Sequence, residues 1–272
     1  MPSRNSFAHS AGHETDPLLY GAAMTFDHLG QITHDVGVIA DVLERGPSTA
    51  PIAGCPGWTV TDLCEHLGGV HRWVIGAITT AGPPSIDPSA DPAPTDDIAR
   101  ARWLVDGAAR MTDLLAATRP DAPTWHPFPV EPKVSSLWPR RQAHEALVHR
   151  WDAEFAVGRA AAIDTAWAID GIDEYWTVML PRLIVREHLA VPASAITVRA
   201  TDADGVWHID GSTGSVRLVD DTANDDTSNA VTITGAAQAL LLRLWGRPVD
   251  DDAVVVDGDA SVARAWLDLG GA

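Results

Sequence analysis

Glu145, His149 and Asp152 stand at i, i+4 and i+7 in the segment RRQAHEALVHRWDAE, residues 140–154. Carboxylates and imidazoles bind divalent metals or move protons, so their spacing matters. On an α-helix His149 lies roughly 40° round from Glu145, and Asp152 about −20°. Arg141 shares that face. His144 lies roughly 100° away from Glu145 and cannot join it. The HE dipeptide therefore does not read as a zinc-protease signature, in which two histidines four apart bind the metal and the glutamate is the base. Here a carboxylate and a histidine are four apart, which makes the carboxylate a candidate ligand.

Two ligands from one helix do not close a zinc site. The third is sought in DLCEHLGG, residues 62–69, where His66 flanks the apolar stripe and Glu65 points away. His66, Glu145 and His149 make a His2Glu set, and three protein ligands with an open position are the catalytic zinc arrangement. Spacing alone leaves other readings open. His66 could be a hydrogen-bonded boundary residue, and Glu145 with His149 a surface i,i+4 pair. Cys55 and Cys64 are nine residues apart, which fits no compact zinc knuckle, and read better as small buried residues.

The elements that must position these groups are legible. Phe26, Leu29, Ile32, Val36, Ile39 and Leu43 share a helical face over residues 25–44, stopped by Gly46-Pro47. A second helix opens after Pro56-Gly57, with Thr59 as N-cap and Asp62 completing a capping box, and with Leu63, Leu67, Val70 and Val74 as its stripe. A Pro-rich loop leads to a third helix over residues 97–117, with Ile98, Trp103 or Leu104, Met111 and Leu115 as its apolar positions. The metal segment is a fourth. A fifth fits residues 165–188, with Pro181 expected to kink or break it. After Pro192, ITVRAT, VWHI, SVRLV and AVTIT alternate in the period-two manner of strands. GAAQALLLRLW is helical, AVVV a short strand and ASVARAWLDLG a closing helix. The fold class is α+β, with a leader at residues 1–22, a helical bundle at 23–190 and a smaller C-terminal α+β domain at 191–272.

Composition bounds the function. The 272 residues carry a formal charge of −18, which argues against nucleic acid. No apolar run reaches the ~20 residues of a membrane span. The N-terminus has no apolar core of a secretory signal, and two cysteines make no disulfide framework, so the expected compartment is a reducing cytoplasm. Lys133 is the lone lysine among 19 basic residues, a bias that suggests a GC-rich genome.

With these residues in place the chain resembles a known family. CPGWTVTDLCEHLGGVHRW and AHEALVHRWDAE are similar to the two metal blocks of the mycothiol-dependent maleylpyruvate isomerase family, within the DinB-like four-helix superfamily. The tail from DGVWHIDGSTGSVRL to the closing helix resembles that family's C-terminal domain. The resemblance puts the metal ligands on His66, Glu145 and His149. It also carries an active-site arginine to Arg247 in LWGRP, or else to Arg243, as a group that binds cosubstrate or a substrate carboxylate. It implies Zn2+ or another divalent metal, a thiol cosubstrate, mycothiol, confined to actinobacteria, and an electrophilic small molecule. The expected enzyme holds the thiol as a metal-bound thiolate and acts as an S-transferase or as a maleylpyruvate-type cis–trans isomerase. Asp152 would hold His149 or a metal-bound water, or reach the metal as a weak fourth ligand. Arg247 could instead form a domain-interface salt bridge. A monomer or homodimer is expected. Two rivals remain: a thiol-independent zinc hydrolase, and a non-catalytic metal-containing binding or regulatory protein.

Overall fold

The computed structural model describes residues 26–80, 82–85, 87, 89–219 and 231–270. The expected leader lies outside these residues. Four long helices form the N-terminal bundle: α1 His28–Arg45, α2 Val60–Thr80, α3 Asp97–Ala117 and α4 Leu137–Ala156. Each start has a local cause. Asp27 and Asp96 accept hydrogen bonds from Gly30 and Ala99 backbone N–H groups at 2.9 Å, offsetting unpaired donors of the first turn. Thr59 and Asp62 cap α2 reciprocally: the Thr59 N–H donates to Asp62 at 2.8 Å, and the Asp62 N–H to the Thr59 hydroxyl at 3.4 Å. The expected stripes of α1 and α2 are buried or half-buried. On α3, Leu104, Met111 and Leu115 are buried, but Ile98 is 49% exposed and Ala101 is buried instead.

Helix α4 breaks the amphipathic rule. Thirteen of its residues are buried, among them Arg141, Gln142, His144, His149, Arg150 and Asp152. It packs on the bundle on one side and meets the following helix on the other, so its polar groups are paired inside the protein. Arg150 reaches Asp35 of α1 at 2.9 Å and Glu154 at 2.5 Å.

The fifth helix runs through Pro181 without breaking. It is α5 Thr165–Glu174, a π-helical turn Tyr175–Met179, and α6 Leu180–Glu187. The Leu180 N–H bonds Tyr175 O, five residues back. Proline disrupts a regular helix because its ring meets the carbonyl one turn earlier and its N–H is missing. Here the widened turn directly precedes Pro181, which takes a first-turn position of α6.

The C-terminal sheet has strands β1 Ala195–Ala200, β2 Val206–Asp210, β3 Arg217–Leu218, β4 Val231–Gly235 and β5 Val254–Asp257, ordered β3-β2-β1-β4-β5. β1 and β4 run parallel; the other pairs are antiparallel. SVRLV pairs over two residues only. Helices α7 Ala237–Leu244 and α8 Ala260–Leu267 pack on β4 and β5, and α7 also packs on α5. Leu240, Leu244, Ile196, Ile233 and Trp266 fill the space between them. No helix among the described residues is long and apolar enough to cross a membrane.

Candidate functional site

His66 from the middle of α2 and Glu145 and His149 from α4 converge. The His66 Nε2 lies 3.1 Å from Glu145 Oε1, and His149 Nε2 lies 3.6 Å from the same oxygen. The two imidazole centroids are 5.3 Å apart and nearly perpendicular, and Trp58 packs against His66 at 4.9 Å. A tetrahedral zinc with ligands at about 2.05 Å needs donor atoms about 3.3 Å apart. The two observed contacts bracket that separation, so the residues fit such an ion. Glu65 turns away and pairs with Arg100 at 3.1 Å. His144 also faces away, with Nε2 2.6 Å from Asp170.

The groups behind these three fix their orientation. His149 Nδ1 lies 3.0 Å from Asp152 Oδ2, which points Nε2 toward Glu145 and His66. Arg141 donates to Glu145 Oε2 at 3.1 Å and to both oxygens of Glu174 at 2.6 and 2.7 Å. Glu145 thus has one oxygen tied to a guanidinium and one turned to the imidazoles. Burial pushes the Glu145 carboxyl up, but the two histidines and Arg141 outweigh it and hold it well below the usual range. Burial disfavours charge on His149, yet Asp152 and Glu145 raise its pKa above the ordinary value. The carboxylates that favour a proton there favour any cation between the rings.

Arg247, from the turn after α7, brings the C-terminal domain to this cluster. It donates from Nε to Asp152 Oδ1 at 3.1 Å and from a terminal nitrogen to Oδ2 at 2.6 Å. Another nitrogen meets Trp245 O at 2.8 Å, and Cys55 Sγ lies 3.6 Å from the guanidinium. Its fork thus pairs with Asp152 as an ion pair between the helical bundle and the C-terminal part of the chain. The same pairing engages both Asp152 oxygens, one of which also faces His149 Nδ1. Arg243 does not join the cluster; it bonds Leu267 O and Asp268 at the end of α8.

Cys55, His149 and Asp152 form a second group with metal-ligand proximity. It uses the His149 nitrogen turned to Asp152 and must compete with the Arg247 cation, which makes it the poorer site. Burial pushes the Cys64 thiol up to about 12, and it belongs to neither group.

Three contributors were not readable from spacing. Glu174 sits at the last residue of α5, directly before the π turn, and receives Arg141. Arg141 shares the ligand face as expected, but its bridging of two glutamates needs α5. Gly54 lies under Arg247: a Cβ there would meet Arg247 Nε at 2.8 Å and Cδ at 2.9 Å.

The family model for the mycothiol maleylpyruvate isomerase N-terminal domain matches residues 29–154, and that for the family's C-terminal domain matches 166–265. The second match thus includes α5 and α6. A crystal structure of the mycothiol-dependent maleylpyruvate isomerase superposes with a TM-score of 0.55 at 13% identity, covering 86% of this chain and 93% of that chain. A crystal structure of a mutant of that isomerase gives 0.55 at 12% identity with the same coverage. At such identity the likeness shows the shared fold. Comparison with curated proteins returned no match. With both domain models matched in order over most of its length, the chain belongs to the mycothiol-dependent maleylpyruvate isomerase family.

Proposed function

We propose that the chain is a metal-dependent enzyme that uses a low-molecular-weight thiol, mycothiol, as nucleophile on an electrophilic small molecule, with cis–trans isomerisation of a maleylpyruvate-type substrate as its reaction. The observation that carries this reading is the convergence of His66 Nε2, His149 Nε2 and Glu145 Oε1 at 3.1 and 3.6 Å in a member of this family. His66, Glu145 and His149 would hold zinc or another divalent ion. Bound there, the ion would supply an open position that lowers the pKa of a coordinating thiol.

The chain's own residues prepare that position. Asp152 accepts from His149 Nδ1 and keeps Nε2 free of a proton for metal binding. Arg141 holds Glu145 by its second oxygen, leaving Oε1 forward. Arg247 fixes Asp152 and so couples the C-terminal domain to the orientation of His149. Trp58 shields one side of His66 from water. In isomerisation the thiol sulfur adds to one alkene carbon, the resulting single bond rotates, and the thiol leaves with re-formation of the alkene, so thiol and protons balance over the cycle. An S-transferase would share the first addition and keep the adduct.

The test has two arms. Zinc content of the purified protein is compared with that of His149→Ala; equal content sinks the metal site. The zinc-loaded protein is then given maleylpyruvate with and without mycothiol. Mass-neutral conversion that needs the thiol supports isomerisation, a stable conjugate indicates transfer, and turnover without thiol favours a hydrolase.

A further inference from the structure

Arg141 is shared by two carboxylates, which leaves the charges of this buried cluster unequal. Its guanidinium donates to both oxygens of Glu174 at 2.6 and 2.7 Å and to Glu145 Oε2 at 3.1 Å. The Arg141 and Glu174 side chains are 3% and 1% exposed, so water screens their charges little. Among the described residues Arg141 is the one hydrogen-bond donor to the Glu174 side chain. Arg140, the neighbouring cation on α4, is engaged by Asp170 and Asp173. A buried ion pair with a purely structural role needs one carboxylate for its guanidinium, not two. Here one negative charge is left over, and Glu145 presents its second oxygen to His66 and His149.

The fold holds Glu174 in this place. It is the last residue of α5, directly before the π turn. Gly171, one turn earlier, lets α5 lie close to α4 and α7: a Cβ there would meet His144 Nδ1 and Leu241 Cδ1, each at 3.1 Å. Arg141 is fixed in turn by the Trp245 ring, whose centroid lies 5.6 Å from its guanidinium. Glu174 and Trp245 belong to the part of the chain matched by the C-terminal domain model, Arg141 and Glu145 to the part matched by the N-terminal one. A cavity of about 320 Å³ is lined by Arg141 and Glu174 but by none of the three candidate ligands. Glu174 thus meets the metal site through Arg141.

We propose that Glu174 is a positioning residue of the metal site: it takes up the charge of Arg141, so that Glu145 keeps its donor strength toward a divalent cation. This rests on reading His66, Glu145 and His149 as the ligands. Without the Glu174 charge, Glu145 alone would match the guanidinium, and a dication would enter a site of no net charge. With it the site is negative by one charge, and a dication together with one thiolate brings the sum to zero. Removing the Glu174 charge therefore pulls two equilibria in opposite directions. The cation binds more weakly, and the anionic thiolate binds the loaded site no less tightly. A site merely loosened by mutation would lose both.

The test uses the full chain above pH 7, where Glu174, raised by burial to about 6, is ionised. Zinc affinity is measured by competition with a chromophoric chelator for the wild type, Glu174→Gln and Glu174→Ala. Both variants should bind zinc about 10–100-fold more weakly, the usual loss for a partner behind a metal ligand. Mercaptoethanol is titrated into the Co2+-loaded proteins and followed by the sulfur-to-cobalt absorption band; it should bind Glu174→Gln as tightly as the wild type or more so. In Glu174→Ala the space left by the side chain opens on the cavity, so added formate should restore zinc affinity there and leave the wild type unaffected. Circular dichroism checks folding, and if Glu174→Gln does not fold, Glu174→Ala with formate decides. Undiminished zinc affinity in a folded variant, thiol binding weakened along with the metal, or a loss in Glu174→Ala that formate does not reverse overturns the proposal. If the wild type binds no zinc, the metal reading falls and this assignment with it. If the wild type binds zinc and Glu174→Gln binds it equally, the assignment falls alone.

Discussion

Replacing Asp152 by asparagine tests the coupling between domains and site most directly. The Asp152 side chain is fully buried and Arg247 is 8% exposed, and the two share contacts at 2.6 and 3.1 Å. The amide is nearly isosteric with the carboxylate but would leave the buried guanidinium without its charge partner. Breaking one side of a buried ion pair costs about 3–5 kcal/mol, because the remaining charge stays desolvated. The same change removes the carboxylate behind His149 Nδ1, and loss of such a partner typically lowers metal affinity about 10–100-fold. Two assays separate the effects: urea unfolding of metal-free protein by circular dichroism, and zinc competition against a chromophoric chelator. The double variant Asp152→Asn/Arg247→Met should recover a few kcal/mol of stability, since no unpaired charge remains, but should not recover zinc affinity. A single variant less than about 1 kcal/mol destabilised, or a double variant that restores zinc affinity, would refute the roles assigned to Asp152.

Four further outcomes follow from named contacts. Arg141→Met should destabilise by about 3–5 kcal/mol, since Glu174 is left buried and unpaired, and should weaken zinc binding through Glu145; unfolding curves with and without zinc read both. Gly54→Ala places a methyl 2.8 Å from Arg247 Nε and should cost about 1–3 kcal/mol, seen as a lowered Tm; the same substitution made in an Arg247→Ala background should lower Tm by less. Thr59→Ala removes half of the α2 cap and should cost about 1 kcal/mol in urea unfolding without changing zinc stoichiometry. For pH, burial lowers His71 and His144 to about 4, so the unfolded chain takes up their protons first as pH falls from 6.5. Stability contributed by their neutral forms is present above pH 6.5 and lost toward pH 4, by about 3 kcal/mol each. Burial raises Glu174 to about 6, so the folded state gains a proton between pH 6 and 4.5 and gives back about 2 kcal/mol. Urea midpoints should therefore fall between pH 7 and 4.5, and a flat profile would contradict the burial of both histidines.

Much of this architecture was legible because local rules act within one element. The Thr59–Asp62 cap, the stripe of α1 and the alternation of β1, β2 and β4 are short-range signals, and the structure reproduces them. The rules misled where tertiary packing overrides periodicity. Ile98 fits a stripe but sits on the outer side of α3. Pro181 predicts a kink or a break, and the structure meets it with a π turn directly before it, the flanking residues being held by buried contacts. SVRLV alternates like a strand, and among the described residues Arg217 and Leu218 pair with β2 while the Val219 N–H bonds His208 O at 3.0 Å.

The same division holds for the site. Helical spacing by itself determined that Glu145 and His149 share a face and that His144 and Glu65 do not join them, because 100° per residue is a property of the backbone. Sequence determined which groups were available and which face each took. Tertiary structure decided what those groups meet. His66 reaches Glu145 across 79 residues of chain because α2 and α4 pack side by side. Arg247 reaches Asp152 across 95, a pairing of the two parts of the chain that spacing could not specify. Arg182, which no motif singled out, has no carboxylate partner among the described residues and lies over Phe128 instead, as set by where α6 comes to rest. Pairing between distant charges depends on separations of a few ångströms, and only the folded packing sets those.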